Sequence, residues 1–125
     1  MGSSSSRTSV LLVDDDPLIL ASLRRLLARE FDVTISGTAS DALTAIGQRS
    51  FHAVVCDVML PGMSGIDLFE TMQRTMPDAA ARVIFLTGGA VDARARGFLQ
   101  SVPNVVLDKG DDLVKVFQAV RSMSL

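Results

Sequence analysis

The chain has 125 residues, 48% of them apolar and 5% aromatic, with no Trp, no Tyr, one cysteine and a formal charge of −2. That length suits one domain able to bury its own core, built here from Leu, Val, Ile, Ala, Met and Phe. A slightly acidic chain without aromatic platforms argues against direct nucleic-acid binding, and no apolar run approaches the roughly 20 residues needed to cross a bilayer.

Residues 1–6, MGSSSS, read as a tag remnant or flexible linker, leaving 7–125 as the domain. Short runs rich in Val, Ile and Leu then alternate with helical patterns. The runs are Val10–Val13, Val33–Ile35, Ala53–Cys56, Val83–Leu86 and Val105–Leu107; they lack polar alternation, as strands covered on both faces do. The first helix carries Ile19, Leu23, Leu26 and Leu27, with Asp16 as N-cap and Pro17 at its first position. Ala39, Ala42, Leu43 and Ile46 mark a second, expected to end near Gly47. The third starts at Ser64, capped there with Asp67 in reply, and runs through Leu68, Met72 and Met76 to Pro77. Val91, Ala95, Phe98, Leu99 and Val102 mark a fourth, weakened by Gly97, and Leu113, Val116, Phe117 and Val120 a fifth, opened by Asp111 or Asp112.

Five strands and five helices in strict alternation predict a (βα)5, doubly wound α/β domain with a five-stranded parallel sheet and right-handed crossovers. In such sheets the functional crevice lies beyond the carboxyl ends of the strands, where strand order reverses. The residues expected there are Asp14 and Asp15 after the first strand, Asp57 after the third, Thr87 after the fourth and Asp108 and Lys109 after the fifth. Converging carboxylates repel one another and need a cation. Oxygen ligands alone, with no second Cys and only His52 elsewhere in the chain, point to a hard divalent ion such as Mg²⁺ and away from zinc. Lys109 supplies a second positive group.

These residues resemble the receiver domain of two-component response regulators. The resemblance covers Ser9 to about Met123 and rests on VDD at Asp14–Asp15, CDVMLPGMSG around Asp57–Gly65, LTG at Thr87 and DK at Lys109. It implies a flavodoxin-like three-layer sandwich in which Asp57 accepts a phosphoryl group from the phosphohistidine of a sensor histidine kinase or a histidine phosphotransfer domain. It further implies that Asp15, Asp57 and the carbonyl of Met59 hold Mg²⁺, with Asp14 acting through a water or helping to hold the ion. Thr87 would meet the phosphoryl oxygens with its hydroxyl and Lys109 with its ammonium, and the domain would catalyse its own phosphorylation and dephosphorylation. A carboxylate needs no base to become a nucleophile, so His52, at the start of the third strand, is expected to be non-catalytic, and Cys56 a buried hydrophobe in a reducing, cytoplasmic setting.

Two positions depart from the family pattern. Gly110 follows Lys109 where a proline, often cis, is usual, which implies a trans bond and a looser loop. Val106 stands where many members carry a Tyr or Phe that turns inward on activation, so the output would pass through the fourth helix, or the domain would lack a dedicated output surface. The stretch LTGGAVDARARGFLQSVPN resembles receivers of hybrid sensor kinases, with a single-domain regulator as the competing context. Leu18, Pro61 and Met63 are expected as an exposed apolar rim for the phosphodonor. Rival readings are a degenerate receiver serving only as a binding module, and an aspartyl-phosphate phosphatase; the latter usually has a second Asp where Met59 stands. A dinucleotide-binding domain would need a glycine-rich turn where the three aspartates lie.

Overall fold

The computed structural model describes residues 7–60, 62–88, 91–110 and 113–123. Five parallel strands, β1 (Ser9–Val13), β2 (Asp32–Ser36), β3 (Ala53–Asp57), β4 (Val83–Thr87) and β5 (Val106–Asp108), form one sheet in the order β2-β1-β3-β4-β5. Among the described residues, six helices connect or follow them: α1 (Pro17–Leu27), α2 (Ala39–Gln48), α3 (Gly65–Thr75), α4 (Pro77–Ala80), α5 (Ala93–Ser101) and α6 (Val114–Ser122). The chain winds outward from β1 in both directions, so strand order reverses between β1 and β3. That is the switch point at which a crevice opens beyond the strand ends.

The strands alternate their side chains between two cores. Val10 and Leu12, with Ala53, Val55, Ile84 and Leu86, pack under α1 and α6 through Leu20, Leu23, Leu27, Val116 and Val120. Leu11 and Val13, with Val54, Cys56, Val83 and Phe85, pack under α2, α3, α4 and α5. Both faces of β1, β3 and β4 are buried, which is why these strands read as continuous apolar runs. The edge strands β2 and β5 are only partly buried, with Ile35 43% exposed, because each has a neighbour on one side alone. Phe69 of α3, Phe85 of β4 and Phe98 of α5 meet edge to face with centroids 5.2 to 5.6 Å apart. Each such pair contributes about 0.5–1.5 kcal/mol beyond simple burial, and the trio anchors α5, in which only Ala95 is fully buried.

The expected elements are all present, with shifted ends. Each of the first four strands gains at least one residue, so Asp57 and Thr87 close β3 and β4 instead of following them. The fifth sits one residue later than expected, leaving Val105 outside it and 44% exposed. Helix α2 runs through Gly47 to Gln48 and stops where Arg49 becomes extended. Five helices become six because Pro77, which ends α3, also opens a short helix of its own at the first helical position. The caps at Asp16 and Ser64 are as read from the sequence, Ser64 and Asp67 forming a reciprocal capping box. Asp111 and Asp112 lie outside the described residues, as do residues 1–6. Among the described residues, no helix is long and apolar enough to cross a membrane.

Candidate functional site

The carboxyl ends of β1 and β3 place Asp14, Asp15 and Asp57 together, each offering an oxygen within 4.8 Å of the others'. Neighbours in sequence, Asp14 and Asp15 differ completely in setting. Asp14 continues the line of β1, its amide donating to the Ser36 carbonyl of β2 at 3.2 Å, and is only 1% exposed. Asp15 turns out to solvent at the mouth of the pocket. Asp16, exposed, closes the turn: its amide donates to Asp14 Oδ1 at 2.9 Å while its own Oδ1 accepts from the Leu18 amide. The DDD run therefore divides into a pocket floor, a pocket rim and a helix cap.

Asp57 is 4% exposed and is held from two sides. Its Oδ1 accepts from the Met59 amide at 3.0 Å and its Oδ2 from Lys109 Nζ at 2.9 Å. The same ammonium lies 2.7 Å from Asp14 Oδ2. Lys109, which follows β5, thus bridges two carboxylates contributed by the ends of β1 and β3. Burial pushes the Asp57 carboxyl above the ordinary carboxylate range, and the charge of Asp14 adds to this; the bonds from Lys109 and Met59 oppose it without cancelling it. Burial on its own would lower Lys109, but hydrogen bonds and charges from Asp14 and Asp57 outweigh it and raise its pKa. One ammonium against three carboxylates leaves the pocket short of positive charge. An all-oxygen donor set of this kind suits a hard divalent cation such as Mg²⁺.

Thr87 ends β4 beside Asp108, and its carbonyl accepts from the Lys109 amide at 2.7 Å. This bond fixes the lysine's backbone at the pocket edge. No cis peptide occurs among the described residues, and Gly110 donates its amide to Asp108 Oδ1 at 2.7 Å. Despite Gly110, then, the lysine is held at both its backbone and its ammonium. Val106 is half-buried against the core on the α5 side. His52 lies at the opposite end of the sheet, its amide donating to Ser9. Cys56 is 1% exposed, and burial above all raises its thiol pKa.

Of the sequence-expected site residues, the structure brings together the side chains of Asp14, Asp15, Asp57 and Lys109, with Met59 attached to Asp57 through its amide and Thr87 to Lys109 through its carbonyl; Asp16 is the helix cap, as expected. Leu18 and Met63 are exposed, 77% and 38%, as expected; Pro61 lies outside the described residues. Two contacts were not legible in the sequence, the Met59 amide on Asp57 and the Ser36 carbonyl on Asp14. Both are backbone groups, which leave no residue-type signal.

Residues 10–121 match the sequence model of the response regulator receiver domain. The chain belongs to that family. Among curated relatives, the transcriptional activator protein PfeR of Pseudomonas aeruginosa is 37% identical over 91 residues, covering 71% of this chain but 29% of PfeR, so this receiver spans under a third of that regulator. Among solved structures, the signal receiver domain of an HD domain-containing protein from Pseudomonas fluorescens Pf-5 superposes with a TM-score of 0.80 at 26% identity over 94% of both chains. The BeF3-activated DrrB receiver domain superposes at 0.76 and 28% identity, covering 94% of this receiver and 97% of that chain.

Proposed function

We propose that this receiver is a Mg²⁺-dependent phosphoacceptor, taking a phosphoryl group onto Asp57 from the phosphohistidine of a sensor histidine kinase or histidine phosphotransfer domain. The observation that carries the reading is the Lys109 ammonium lodged between Asp14 and Asp57, 2.7 and 2.9 Å away, in a pocket still short of positive charge. Phosphoryl transfer asks a protein mainly for an aligned nucleophile and for positive charge around the transferred oxygens. In the step, one Asp57 carboxylate oxygen forms the new bond to phosphorus while the donor's phosphorus–nitrogen bond breaks, its electron pair leaving with the imidazole. The carboxylate has no proton to lose, so no base is required.

Asp15, Asp57 and the Met59 carbonyl would hold Mg²⁺ directly, with Asp14 buried behind them acting through a water. Bound there, the ion supplies electrostatic stabilisation of the phosphoryl oxygens. Lys109 would turn its ammonium to a phosphoryl oxygen, and the Thr87 hydroxyl would meet another. Movement at Thr87 would be passed on to α5, in which only Ala95 is fully buried and which is therefore the element free to shift. Hydrogen exchange across Val91–Val102, compared with and without beryllofluoride, tests that route; unchanged exchange refutes it. Leu18 and Met63 flank the pocket as an apolar rim on which helices of the donor domain would rest. Leu18→Asp is expected to slow transfer from the donor while leaving labelling by acetyl phosphate unchanged.

The deciding experiment is incubation with Mg²⁺ and acetyl phosphate followed by intact mass measurement, with Asp57→Asn as control. The expected result is a mass gain of one phosphoryl group on the wild type and none on the variant. A wild type that gains nothing overturns the proposal and favours a receiver that acts only as a binding module.

A further inference from the structure

Gly65 opens α3, yet glycine is about 1 kcal/mol worse than alanine inside a helix, and no left-handed backbone angle demands it there; among glycines of the described residues only Gly62 has a positive φ, of 74°. Space demands it instead. A β-carbon on Gly65 would press into the carbonyl oxygen of Asp57 and stand 3.0 Å from Val58 Cα and 3.2 Å from the Asp57 carbonyl carbon. All three are backbone atoms, so no side-chain rotation relieves the clash. Gly47 and Gly97, also within helices, have open space at the same position.

The crowded peptide is the one that shapes the pocket. The Gly65 amide donates to the Val58 carbonyl at 3.0 Å, and Val58 in turn donates to Leu86 of β4. One residue further on, the Met59 amide fixes Asp57 Oδ1. The Ser64–Asp67 capping box holds the helix end from its other side. The start of α3 therefore rests directly on the end of β3, with nothing between them.

We infer that Gly65 is a positioning residue for Asp57: the missing side chain lets α3 seat on the Asp57–Val58 peptide, and that seat sets the phosphoacceptor carboxylate, with the Met59 amide bonded to it, toward Asp14, Asp15 and Lys109. The inference rests on the phosphoacceptor reading. A methyl group at Gly65 moves the peptide, and a displacement approaching 1 Å at a reacting group can cost about 100-fold in rate.

The test compares Gly65→Ala with Gly97→Ala, the same chemical change in a helix where the methyl meets nothing. Three quantities are read: folded fraction by circular dichroism, acetyl phosphate labelling per folded molecule, and the Mg²⁺ concentration that half-shifts the Val58 and Met59 amide signals with no phosphodonor present. Gly97→Ala is expected to match the wild type in the last two. Gly65→Ala is expected to label about 10- to 100-fold more slowly per folded molecule, with its magnesium midpoint raised and the Met59 amide shifted even without metal. The double variant Gly65→Ala/Gly97→Ala, measured in trimethylamine N-oxide, restores stability if the single one is poorly folded. Labelling that merely follows the folded fraction, with an unmoved magnesium midpoint, overturns the assignment. Absence of labelling in the wild type overturns the phosphoacceptor reading instead.

Discussion

Replacing Asp57 by Asn keeps the shape of the side chain and removes one buried charge. In the metal-free pocket Asp57 is attracted by the Lys109 ammonium 2.9 Å away and repelled by two carboxylates whose oxygens lie within 4.8 Å. At an effective dielectric constant near 20, that attraction is about 6 kcal/mol and each repulsion about 3.5 kcal/mol. The charge terms nearly cancel, so the cost of burying the carboxylate decides the sign. Asparagine still accepts from the Met59 amide and from Lys109, and it carries no such cost. Asp57→Asn is therefore expected to stabilise the metal-free protein by about 1–3 kcal/mol, a rise in Tm of roughly 4–10 °C. Denaturation near neutral pH in EDTA reads this gain directly. Repeating it in magnesium should close the gap, since the wild type gains about 1.4 kcal/mol when the ion is at ten times its Kd while the variant has lost a ligand. A variant no more stable than the wild type in EDTA would refute the electrostatic account of the pocket.

Three further outcomes are expected. Because burial raises the folded-state pKa of Asp57, its protonated form favours the folded state; that contribution is complete below the ordinary carboxylate range and is lost as pH climbs through the raised value. The stability gap between Asp57→Asn and the wild type should accordingly vanish in acid and open toward neutrality, and a gap independent of pH would contradict it. Lys109→Met keeps the stem that lies against Gly88 but strands two buried carboxylates, at an expected cost of about 3–5 kcal/mol in urea denaturation without metal, partly recovered with Mg²⁺. Phe98→Ala should cost about 2–3 kcal/mol by removing α5's main aromatic anchor, with hydrogen exchange quickening first across residues 93–101 and an unchanged pattern there counting against the anchor.

Much of this receiver is written locally. Apolar runs too short for helices fixed the strands, the Asp16–Pro17 and Ser64–Asp67 pairs fixed two helix starts, and alternation of the two patterns required a parallel sheet because only a covering helix can return the chain to a parallel neighbour. Strand ends were less legible: residues such as Asp57 and Thr87 belong to strands by their pairing with Leu86 and Asp108, which no propensity reports. Pro77 read as a stop because its effect on the preceding turn is local; that it also starts α4 depends on where the chain goes next.

The carboxylates, the threonine and the lysine were visible as residue types, but types carry no distances. Asp14 and Asp15 are chemically identical and adjacent, and only the direction in which the chain leaves β1 buries one and exposes the other. Lys109 pairs with Asp14 and Asp57 because the sheet order brings the ends of β1, β3 and β5 to one edge, across separations that local sequence cannot span. Gly65 is visible in the sequence only as part of a motif at a helix start; the backbone atoms that exclude a side chain there are met only once α3 lies against β3. Chain-local preferences thus determined what this protein is made of, and the long-range packing of one helix start and three strand ends decided where its charges meet.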